Sequence, residues 1–258
     1  MLFQEKILGT LLGARLGLSL APGNQSLGLQ IAFLGLEKLA QQLSGRSSIP
    51  ESSPQSLSTE QGSSAEVLLA ALPAIFLGAA EVSVDLAEPV IPVIADLTPD
   101  AKVRDEALRG AAVMAMLLRS PFPSPIAIPE DTAPAPIDRE PAPQANSSAL
   151  RAIQQFCDTP NDYQSCLQRA ARDVRTTTTE MALTGAFLGA YQGVLGIPLS
   201  WQLTLVRAGI WSQDERLALA VASYCAGKRS WPEAGRMPIV GPVGSLQPRV
   251  QLRMPSWS

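Results

Sequence analysis

The side chains that usually move protons, hold metals or attack carbonyls are thinly supplied in this chain, and one is missing: its 258 residues contain no histidine. That excludes Ser-His-acid and Cys-His mechanisms and every His-bearing zinc or iron site. Cys157, Cys166 and Cys225 are odd in number and widely scattered. They form neither a disulfide framework nor a metal knuckle, and they suit a reducing compartment. Chemistry is left to carboxylates, Lys, Arg, Tyr and hydroxyls. The densest cluster of these is Thr176-Thr177-Thr178-Thr179, flanked by Asp173 and Glu180. Four threonines ahead of an apolar run make a helix cap; the competing reading is a polar pocket for a neutral or anionic ligand. Asp173 and Glu180 are seven residues apart, a spacing at which they would share a helix face. Arg15 lies in an apolar, glycine-striped segment, where it would pair with an acid, hold a phosphate or snorkel from the helix edge. Glu66, Asp85, Glu88 and Asp173 are candidates for a glycosidase-type carboxylate pair, but sequence alone does not set two of them across a pocket. The glycines make no phosphate loop, since GxxxxGK[ST] and a strand-turn-helix context are both absent.

Those residues need elements to hold them, and the composition says of what kind. Lys and Arg number 20 against 23 Asp and Glu, a net charge of -3, so nothing points to nucleic acid. Charged residues are 17%, below the usual quarter of a soluble domain, while apolar residues are 46% and aromatic ones 5%. The core is therefore built from Leu, Ala, Ile and Val. The length suits one large domain or two small ones. Residues 181–206 carry no charge and are long enough to span a bilayer. Gln192, Pro198, Ser200 and Gln202 interrupt that run, and no basic flank adjoins Met181, so it reads as a buried helix. Glu5 and Arg15 spoil the apolar stretch Ile7–Leu12 as a signal peptide. A cytoplasmic location is expected.

The pattern is helical throughout, with no alternating strand pair. Helices are expected over 4–22, 25–42, 64–79, 98–118, 148–157, from 159 into the 170s, 178–194, 198–206 and 214–226. Pro73 predicts a kink or break, and Thr98-Pro99 predicts a hydroxyl cap with proline at the first helical position. Residues 83–98 fit a helical turn as well as a strand, because Pro89 and Pro92 fragment the pattern. Residues 46–64 read as a Ser- and Pro-rich loop, and 121–147 as a proline-rich extended insert. One domain over 1–226 is expected, followed by an irregular tail, 227–258, that wraps the body through Trp231 and Trp257. Gly9, Gly13 and Gly17 recur every four residues and form a smooth stripe against which another helix packs closely.

Two glycine-patterned segments, ILGTLLGARLGLSLA at 7–21 and TTTTEMALTGAFLGAYQGVLGIPLSW at 176–201, together resemble the ADP-ribosylglycohydrolase family. Gly185, Ala186, Gly189, Ala190 and Gly193, then Ile197-Pro198 and Trp201, match the family's C-terminal motif in order without a gap. Thr177 and Thr179 match its threonines, whereas Thr176 and Thr178 stand where its two metal-binding aspartates belong. In the N-terminal motif Gly9, Leu11, Gly13 and Gly17 fit, but Leu18 replaces the aspartate and Ala21 the last glycine. The Thr-Asp-Asp-Thr motif of the second helix aligns with Ser26-Leu27-Gly28-Leu29, and no acid lies between Lys6 and Glu37. Glu66-Val67 replaces the Met-Arg pair of a further stretch that ends at Pro73.

The resemblance implies an all-α, compact orthogonal helical bundle around a two-magnesium centre that cleaves bonds to ADP-ribose. Here Leu18, Leu27, Gly28, Thr176, Thr178 and Thr179 mark a relic site with no catalytic residue. No metal cofactor is expected, because magnesium is held mainly by carboxylates and water, and neutral hydroxyls cannot offset a two-metal charge. The expected role is binding, regulation or scaffolding, with a protein partner or a small ligand of unknown identity, and with neither nucleic acid nor membrane. The alternative is an active ADP-ribosyl glycosidase with a rebuilt site.

Overall fold

The computed structural model describes residues 2–21, 30–37, 63–80, 87–120 and 147–226. Residues 46–62 of the loop expected over 46–64, residues 121–146 of the insert expected over 121–147, the tail with Trp231 and Trp257, and the positions Leu27, Gly28 and Asp85 lie outside the described residues. Among the described residues there is no strand. The helices are α1 (Phe3–Leu20), α2 (30–37), α3 (Ser64–Ala70), α4 (Leu72–Ala80), α5 (Ala87–Leu97), α6 (Ala101–Arg119), α7 (Ser148–Asp158), α8 (Tyr163–Arg172), α9 (Thr178–Gln192), α10 (Leu199–Arg207) and α11 (Ile210–Cys225).

The centre of the fold is the pair α1 and α9. Every residue of α9 from Thr179 to Tyr191 is buried, and α1 is buried without a break from Lys6 to Ala14. Helices apolar on all sides belong inside a shell of others. The two run antiparallel with backbones touching: Gly9 lies against Gly189 and Gly193, Gly13 against Gly185, and Gly17 against Met181. A Cβ on Gly9 would lie 2.6 Å from the Gly189 carbonyl oxygen, and one on Gly13 or Gly17 would overlap the opposing backbone outright. The glycine stripe thus lets the axes approach closely and offsets its own low helix propensity by packing. Gly193 ends α9 with φ 64°, a conformation that favours glycine.

Around this pair, α6 packs on α3, α4 and α5, while α7 and α8 flank α9 and α11 lies on α1. Lys6 is buried in α1, and its ammonium donates to the Leu117 and Ser120 carbonyls. Leu117 lies in the last turn of α6, whose carbonyls have no amide partner within the helix. Burial pulls the Lys6 pKa down to about 8.

Several boundaries differ from the sequence expectation. The Pro73 break is real: α3 stops at Ala70, Ala71 turns, and Pro73 falls in the first turn of α4, where its missing N–H costs no bond. Of the ambiguous 83–98 segment, residues 87–97 are helical in α5, and Val90 and Ile94, one turn apart, are both buried. The cap of α6 is Asp100 rather than Thr98: its carboxylate accepts from the Lys102 and Val103 amides, and Thr98 Oγ1 accepts from Asp100 N instead. Likewise α8 starts at the cap Asp162, later than Thr159-Pro160, because the Asp162 side chain accepts from Ser165 N. Helix α11 begins at Ile210 rather than 214, after Gly209 reverses the chain at φ 71°. The uncharged run 181–206 is divided by Gly193 and Pro198, and no helix among the described residues is long and apolar enough to cross a membrane.

Candidate functional site

The threonine tetrad forms the head of α9. Thr177 is the N-cap: its hydroxyl accepts from Glu180 N at 3.2 Å, and Glu180 Oε2 accepts from Thr177 N at 2.8 Å. This reciprocal capping box satisfies two amides the helix would leave unpaired. Thr176 and Thr179 are bound sideways into neighbouring helices. Thr176 Oγ1 accepts from Gln155 Nε2 at 2.6 Å. Thr179 donates to Glu66 Oε1 at 2.5 Å. Thr184, one turn further in, lies 3.0 Å from Gln155 Oε1 and 2.8 Å from the Glu180 carbonyl, so its single proton serves one at a time. Thr178 is half-buried.

Helices α7 and α9 run parallel, because Arg151 faces Glu180, Gln155 faces Thr184 and Phe156 stacks on Phe187 in step along both. Their N-termini therefore lie side by side. The start of α3 joins them through an exchange of caps: Ser148 Oγ accepts from Ala65 N at 3.0 Å, and Ser64 Oγ accepts from Ala149 N at 3.1 Å. Helix N-termini carry partial positive charge, and gathering them invites acidic groups. Glu66 and Glu180 occupy the first turns of α3 and α9.

The Glu180 side chain is 2% exposed and meets Arg151 at 3.4 Å. Burial raises its pKa; the Thr177 amide and Arg151 oppose that rise. Asp173 does not share a face with Glu180. It caps the end of α8 and accepts from Arg175 N at 3.0 Å, which lowers its pKa. Among the described residues no three acidic or cysteine groups gather as a metal site.

Of the expected relic positions, Thr176, Thr178 and Thr179 converge on one helix head. Leu18 follows Gly17, which abuts Met181, so it lies near the level of the first turn of α9, half-buried against the core. Arg151, Gln155, Ser64 and Ser148 were not legible in the sequence. Arg151 and Gln155 are four apart on α7, a spacing that marks a shared polar face without naming what it meets.

Arg15 takes the acid-pairing option. Its guanidinium grips Asp214 of α11 and lies 3.8 Å from the centroid of the Phe33 ring of α2.

No protein-family profile, curated protein or solved structure matches this chain.

Proposed function

We propose that this chain is a catalytically silent relative of the ADP-ribosylglycohydrolases, a binding, regulatory or scaffolding protein that keeps the helical body. The observation that carries this reading is the state of the two carboxylates at the head of α9. Glu66 accepts from the Thr179 hydroxyl and ties α3 to α9, and Glu180 caps α9 and meets Arg151, so both are engaged in holding helices. The donor set also fits a magnesium pair poorly. Thr176 and Thr178 bring neutral oxygens where two metal charges would need carboxylates. The three cysteines, Cys157, Cys166 and Cys225, are reduced thiols, which supports a cytoplasmic location.

Protein incubated with magnesium or manganese is expected to release no ADP-ribose from modified arginine or serine substrates. Turnover above a metal-free control overturns the proposal. It would favour a second reading, a glycosidase with a rebuilt site, which draws on the same two carboxylates lying at one helix head. In that case Glu66→Gln should abolish turnover while the fold is kept.

A further inference from the structure

Beside the head of α9 lies a cavity of about 470 Å³, lined by Arg151 and Asp158 of α7, Arg169 of α8, and Asp173 and Arg175 of the connection into α9. Its size lies within the range of small-molecule sites, roughly 300–1,000 Å³. Three guanidinium groups open onto it. Two are set by backbone carbonyls: Arg151 donates to Arg175 O and Arg169 to Gln155 O, each at 2.7 Å. The third, on Arg175, has a side chain 85% exposed.

We propose that this cavity binds a phosphate monoester or free phosphate through these three arginines. A planar guanidinium has five N–H donors arranged in a fork that fits phosphate oxygens. The ion pairs of two of the arginines are weak. Arg169 reaches Asp158, and Arg175 reaches Asp173, through single contacts of 3.4 Å with partly exposed carboxylates. Solvent-exposed pairs of that kind hold weakly, so Asp158 and Asp173 can give way to an incoming oxyanion at little cost. Paired forks to phosphate are the stronger contact. The lining carries three arginines and two aspartates, and Glu180, outside the lining, also draws on Arg151. The site is linked to the head of α9, because Arg151 also meets Glu180. It goes beyond the proposed function, since it stands whether or not the chain cleaves a glycosidic bond.

The test is calorimetric titration of the full chain with inorganic phosphate and with glycerol 3-phosphate, ionic strength being held with chloride. Saturable one-site binding is expected. Arg175→Gln should weaken it about tenfold, the effect of losing one charge-assisted contact, with an unchanged melting curve because the side chain is exposed. Arg169→Gln should act in the same direction; if it unfolds the chain, Arg175→Gln still decides. Tighter binding of glycerol 3-phosphate identifies an ester as the ligand, and equal binding identifies the free ion; both support the site. Absence of saturable heat at millimolar ligand, or binding untouched by Arg175→Gln, overturns it. Neither result bears on ADP-ribose release, so the two proposals fail separately.

Discussion

Arg15 and Asp214 meet in a two-pronged ion pair, Nε lying 2.9 Å from Oδ2 and Nη2 3.0 Å from Oδ1, that fastens α1 to α11. The Asp214 side chain is 0% exposed and that of Arg15 23%. Burial pushes the Asp214 carboxyl from its ordinary 3.8 up to about 6, against the opposing pull of Arg15.

Removing the arginine strands the acid. Arg15→Leu should cost about 3–5 kcal/mol at pH 8, the usual result of leaving a buried charge unpaired. Asp214→Asn, which leaves only the half-exposed arginine without its partner, should cost less, about 1–2 kcal/mol. The pH dependence has a definite sign. Between about pH 4 and 6 the folded chain keeps a proton on Asp214 that the unfolded chain has released, so this group adds stability as pH falls. The deficit of Arg15→Leu should therefore shrink from pH 8 to pH 5 in urea titrations. A deficit that grows towards acid would contradict this account.

The α1–α9 contact makes an equally sharp forecast. Gly13→Ala places a methyl group on the Gly185 backbone and the Tyr163 hydroxyl, and rigid backbone cannot yield as a side-chain tip does. A loss above about 3 kcal/mol is expected, at the severe end of overpacking. Gly35→Ala is the control. Its Cβ would meet only the Pro73 ring at 3.3 Å, so the change should stay within about 1 kcal/mol of wild type. Thermal melts of the two variants compare them directly.

Thr177→Ala tests the capping box. Loss of the hydroxyl that accepts from Glu180 N should cost about 1 kcal/mol. Hydrogen exchange should accelerate at the first turn of α9 before it does so at Gly185 or Gly189. Uniform acceleration along the helix would mean that Thr177 does more than cap.

Lys6 carries the opposite pH signature to Asp214. Its folded pKa of about 8 lies below the ordinary 10.5, so between these values the unfolded chain holds the extra proton and the group adds stability as pH rises. The stability of the wild type relative to Lys6→Met should therefore increase from about pH 8 to 10. Denaturant midpoints of both proteins at the two pH values measure it, and a constant difference would show that the ammonium stays charged throughout.

Much of the local architecture was readable along the chain. The Pro73 break, the cap ahead of α9, and the close-packing stripe of Gly9, Gly13 and Gly17 follow from propensity and spacing, which act within one helix. Where two polar residues compete for a helix start, propensity does not choose between them. Asp100 displaced Thr98, and Asp162 displaced Thr159, because a cap is chosen by which side chain reaches the free amides.

The site was legible only in part, for a related reason. The sequence placed four threonines at a helix head and left the nearest acids unassigned. Tertiary packing alone brought Glu66 to Thr179, 113 residues away, and Asp214 to Arg15, 199 residues away. It also moved Asp173 off the face of Glu180 and onto the end of α8. The helical period carries information over three or four residues, so sequence by itself determined an all-helical chain, its glycine seam and its threonine cap. Which carboxylate meets which hydroxyl or guanidinium depends on the register between helices, and only their packing sets that.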